Sequence, residues 1–186
     1  MNTLIAGLAL WTIAHFFKRL APNMRAGMTA KMGNGAKGVV ALALLGAIVL
    51  MVSGYRAAPV ETLYDLPSWA LRVNNTLMLV AVALLGMGSS KGRARTWLRH
   101  PMLTGVLVWA AAHLLVNGDV ASIVLFGGLA LWAAAEMLVI NIQEGPWQKP
   151  EAGPASGDVK WLVISAVVFV VIAGLHIWIG PNPFGG

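Results

Sequence analysis

Six long apolar runs, separated by short polar connections, constrain this chain more than any other feature. They cover Thr3–Leu20, Gly38–Gly54, Trp69–Met87, Pro101–Val116, Val120–Ile140 and Trp161–Ile179. At a rise of about 1.5 Å per residue, most reach across the ~30 Å apolar core of a bilayer, and the fourth is short. The expected fold is all-α: a polytopic transmembrane helical bundle of about six spanning helices, forming one integral membrane domain over residues 1–186. Composition agrees. Only 11% of the residues are charged, against about 25% in soluble domains, and the lipid bilayer is the expected partner.

The basic residues set an orientation. Lys18, Arg19, Arg25, Lys31 and Lys37 follow the first run; Lys91, Arg93, Arg95 and Arg99 follow the third; Lys149 and Lys160 follow the fifth. These are 11 of the 13 Lys and Arg, and only Arg56 and Arg72 fall on the other side. The positive-inside rule then places the three basic loops in the cytoplasm and both termini in the periplasm of a bacterial inner membrane. The net charge of +6 belongs to helix flanks. No basic stripe carries interleaved aromatics, so a nucleic-acid partner is not expected. Trp69, Trp97, Trp161 and Trp178 stand at run ends, where an aromatic belt sits. The first run lacks a basic segment ahead of it, so it is expected to be retained as a span.

Ionisable groups within spans ask for a reason. Here they are His15, His100, His113, His176 and Glu136. The absence of cysteine removes thiolate metal sites, disulfides and thiol nucleophiles. No two histidines stand three or four residues apart, which disfavours zinc and copper. Neutral imidazoles from different helices can hold a haem. His113, one turn after Trp109, fits an axial ligand, but from the residue alone a hydrogen-bonded packing histidine is the better reading. His100 and His113 need separate partners, because thirteen residues of helix span about 20 Å. Glu136 reads as a proton-relay acid or as an ion-pair partner of Arg99. Asn117-Gly118-Asp119 reads as a tight turn, with Asp119 capping the next helix. The Glu144–Asp158 stretch, with three Pro and three Gly, reads as a flexible loop.

The stretch RHPMLTGVLVWAAAHLLVNGDVASIVLFGGLALW from Arg99, together with AHFFKRLAPNMR, SGYRAAP and LHIWIGPNPF, resembles the NnrU family of bacterial membrane proteins. That resemblance implies a link to denitrification and nitric oxide metabolism. It extends to the 15-cis-zeta-carotene isomerases, which implies haem b held by two histidines at the positions of His15 and His113. It also implies a needed histidine at His100 and an apolar small-molecule substrate. Asn117, one turn beyond His113, is the candidate to support that ligand. His100 is expected to bond the inner rim, at Glu136 or a haem propionate. The catalytic candidates are therefore His100 and Glu136, and the cofactor-binding candidates are His15, His113 and Asn117. The chain differs from the isomerases in carrying Ala110 where they have cysteine, and Leu131, Trp132 and Ala133 where they have a His-His pair. Rise counting leaves the pairs His15/His100 and His113/His176 open as ligands. Two other classes remain: a non-enzymatic membrane assembly or sensor protein, and an S-adenosylmethionine-dependent membrane methyltransferase of the RHP type. Met102 and the solitary Glu136 depart from the latter's pattern.

Overall fold

The computed structural model describes residues 1–180 and 182–185; Pro181, within the LHIWIGPNPF ending, and Gly186, the end of the expected domain, lie outside the described residues. Among the described residues the regular structure is helical: α1 (Asn2–Leu20), α2 (Pro22–Met32), α3 (Gly35–Arg56), α4 (Ala70–Met87), α5 (Pro101–Leu114), α6 (Val120–Glu144) and α7 (Ala155–Ile179). A short 3-10 turn, Ala94–Thr96, precedes α5. Thr62 and Asp119 form an isolated antiparallel bridge.

The helices cluster into two compact units. The first comprises Met1–Leu63 with Asp119–Gly128; the second comprises Tyr64–Gly118 with Leu129–Gly186. In the first, α1 packs along α3 through small residues. A Cβ at Gly7 would stand 2.7 Å from the Met51 nitrogen and 2.9 Å from the Ala47 carbonyl oxygen, and one at Gly54 would collide with the backbone of Leu4. Such close approach gives van der Waals contact that lipid cannot match, which is how apolar helices associate in a bilayer. Leu4 is fully buried there. In the second unit, Gly105 brings α5 against α4, where a Cβ would lie 3.1 Å from the Ala81 carbonyl and the Leu85 nitrogen. Trp161 ties α7 to α4 by donating its indole N–H to the Ala83 carbonyl at 2.8 Å.

The count of about six spans is not confirmed. Four helices, α3, α4, α6 and α7, are long and apolar enough to cross a membrane, and a fifth arises if α1 and α2 count as one bent span. The first apolar run ends at a 91° bend into α2. Pro22 explains it: its ring pushes the preceding residue out of the helical region, and Ala21 sits at φ −129, ψ 56. α5 has only 14 residues, about 21 Å, short of the ~30 Å core. Helix ends also move. α7 starts at Ala155, so Asp158 lies in its first turn and not in a flexible loop. The cause is tertiary: Asp158 Oδ1 accepts from the Ala94 N–H at 2.9 Å, and Arg93 Nε donates to its Oδ2 at 3.3 Å.

The turn at Asn117-Gly118-Asp119 forms as the sequence suggests. Asp119 caps α6, accepting from the Ser122 N–H at 2.9 Å and from its hydroxyl at 2.5 Å. Within the first unit, Tyr55 Oη and Ser122 Oγ share a hydrogen bond of 2.8 Å. The ladder of α6 widens to a π-helical stretch at Ile123–Gly127.

Candidate functional site

Two histidines have the same local construction. In α1 the Nδ1–H of His15 donates to the Trp11 carbonyl at 2.9 Å, and its ring lies 4.3 Å from the Trp11 ring centre. In α5 the Nδ1–H of His113 donates to the Trp109 carbonyl at 2.9 Å, with ring centres 4.9 Å apart. The interplanar angles are 42° and 49°. The two stretches share the pattern Trp-x-x-Ala-His: Trp11, Ala14 and His15 in one, Trp109, Ala112 and His113 in the other. Helical spacing places each histidine one turn after its tryptophan on the same face.

The backbone bond decides the tautomer. A carbonyl only accepts, so Nδ1 carries the proton, and in the neutral ring Nε2 carries the lone pair. This is the form that ligates a metal through Nε2, with the other nitrogen held by a fixed acceptor. That proton placement is compatible with metal ligation through Nε2, at His15 and His113 as at His176, whose Nδ1 makes the same bond. Asn117 serves differently from expectation: its side-chain amide donates to the His113 carbonyl at 2.8 Å, so it secures the end of α5 and not the imidazole. Tyr64, which the sequence reading missed, covers the same end, its hydroxyl donating to the carbonyls of Leu114 and Asn117.

At the start of α5, Arg99 and His100 fasten the far end of α6. His100 Nε2 donates to Asn141 Oδ1 at 2.9 Å. Arg99 donates to the Gly145 carbonyl at 2.6 Å and lies 4.0 Å from Glu144. Gly145 has φ +67, a conformation that glycine adopts without steric cost, and it ends the helix. His100 thus has the opposite proton placement from His15 and His113, and its partner is Asn141. Pro101 opens α5, where its missing N–H costs nothing. Glu136 is 8% exposed and lies one turn after the buried Trp132. It stands five residues before Asn141, a rotation of about 140° on the helix, so the two do not share a face. His176 donates from Nδ1 to the Ile172 carbonyl at 2.9 Å, without a tryptophan beneath it. Among the described residues no three His, Cys, Asp or Glu side chains gather to hold a metal ion.

Four or five apolar helices that could cross a bilayer, packed through small residues, point to a polytopic α-helical membrane protein. Compared with known families, residues 3–183 match the one described as NnrU protein, and the chain belongs to the NnrU family. Neither the curated proteins nor the solved structures give a match.

Proposed function

We propose that the protein is a haem b protein of the bacterial inner membrane, with His15 and His113 as its iron-ligating residues and a redox-linked role in nitric oxide or denitrification metabolism. The observation that carries this reading is the repeated Trp-x-x-x-His element, in which an Nδ1–H bond to the preceding turn leaves the neutral ring's Nε2 unprotonated and able to ligate iron. Haem, when bound, supplies one-electron chemistry at its iron. The chain's own residues do the rest. Trp11 and Trp109 hold the ring orientations, and Asn117 secures the turn beyond His113. His100 positions the inner end of α5 through Asn141. Glu136, a buried carboxyl, is the group suited to carry a proton within the span. The enzymatic form of this reading is an isomerase-like reaction on an apolar small molecule.

The test is the absorption spectrum of the detergent-purified protein, oxidised and reduced. A Soret band is expected, altered by His15→Ala and by His113→Ala and unaffected by His176→Ala. A colourless protein sinks the reading. So does loss of haem in His176→Ala with full retention in His15→Ala.

A further inference from the structure

The second unit contains a cavity of about 670 Å³ between the end of α4 and the start of α7. Its lining combines Lys91, Lys160 and the hydroxyls of Ser89, Ser90, Ser156 and Ser165 with the apolar surfaces of Trp161 and Ile164. These residues come from the junctions of apolar runs and basic loops. The run of α4 ends at Met87, just before the serines and Lys91, and the run of α7 begins at Trp161, just after Lys160.

The walls are held by bonds that do not involve either lysine side chain. Gly153 N–H donates to the Gly92 carbonyl at 3.1 Å. A Cβ at Gly157 would stand 2.5 Å from the Gly92 nitrogen, so the loop lies backbone to backbone against the first turn of α7. The nearest carboxylate on that turn, Asp158, is bound by Arg93 Nε and the Ala94 N–H. Lys91 and Lys160 are both exposed. Ser90 is 9% exposed, and among the described residues its hydroxyl has no hydrogen-bond partner. A buried hydroxyl in that condition is costly. Ile164, 62% exposed on α7, continues an apolar path from the cavity along the helix.

We propose that this cavity is a binding site for an anionic phospholipid. Two ammonium groups and serine hydroxyls match a phosphate headgroup, and Trp161 with Ile164 matches the acyl chain leaving it. Basic pockets beside spanning helices on the cytoplasmic side recognise anionic lipid in this way. Neither His15 nor His113 lines the cavity, so the haem reading and this one stand or fall independently.

The experiment uses the full chain, delipidated in detergent and studied by native mass spectrometry. Short-chain phosphatidylglycerol, phosphatidylcholine and inorganic phosphate are titrated separately. Phosphatidylglycerol adducts are expected, with little adduct from the other two. The double variant Lys91→Gln/Lys160→Gln is expected to weaken phosphatidylglycerol binding about tenfold or more. Lys149→Gln, at a basic residue outside the cavity, should leave it unchanged. Equal binding of phosphatidylcholine overturns the proposal, as does a double variant that binds like the unaltered protein. Inorganic phosphate bound as tightly as the lipid also overturns it, because Trp161 and Ile164 would then contribute nothing. Both lysines project from exposed positions, so these substitutions leave the packed interior intact.

Discussion

Asp119 and His100 show how single side chains secure helix ends in this protein. Asp119 satisfies two donors of Ser122 at the start of α6. Its replacement by alanine should cost about 1 kcal/mol, the usual worth of an N-cap, read as a lowered thermal midpoint in detergent. His100 and Asn141 bond across forty-one positions of sequence at 2.9 Å. A double-mutant cycle of His100→Ala and Asn141→Ala should give a coupling of roughly 0.5–1.5 kcal/mol. Additive effects would show that the bond contributes nothing. His100→Ala should also leave any haem spectrum in place. The cap was legible in the sequence because its partner is three residues away. Asn141 was not, because nothing local distinguishes it from other polar residues near a helix end. The paired Trp-x-x-x-His elements were legible as residues, but their common tautomer rests on backbone bonds that only the structure supplies.

At the scale of elements, α2 shows what apolar patterning leaves out. Its mean hydropathy is low, so the sequence presents it as a basic loop, yet it is an 11-residue helix set at 91° to α1. Met24, Met28 and Met32 recur every fourth residue, with Arg25 and Lys31 at the stripe's margins. Met24 is 68% exposed. A helix of this pattern at the end of a span lies along the interface, its methionines towards the acyl chains and its cations at the headgroups. The absence of native cysteine makes this easy to measure. A fluorophore on Met24→Cys should be quenched by nitroxide-labelled lipid more strongly than one on Ala26→Cys, about 160° around the helix. Equal quenching at both positions would remove α2 from the interface. The apolar runs located most helices, while their ends shifted wherever tertiary bonds intervened, as at Asp158 and Gly145.

For the whole molecule the question is parity. The alternating loop charges require six crossings, whereas four helices satisfy the length and composition of a span and a bent pair adds a fifth. The decision therefore falls on α5. Its 14 residues cover about 21 Å, but the backbone continues to turn beyond it. Leu115 N–H bonds the Ala111 carbonyl at 3.2 Å, and Val116 N–H bonds the His113 carbonyl at 3.1 Å. Local bilayer thinning accommodates a short span at a modest cost, a fraction of a kcal/mol per Å. Arg99 at one end and the uncharged Asn117-Gly118 turn at the other give α5 the charge asymmetry of a crossing helix. A reporter active only in the cytoplasm should therefore be silent when inserted at Gly118 and when fused after Gly186. It should be active within the Gly145–Pro154 connection. Activity at Gly118 would mean that α5 enters and leaves on the cytoplasmic side. Activity after Gly186 would reverse the placement of the carboxyl terminus and overturn the charge-based topology.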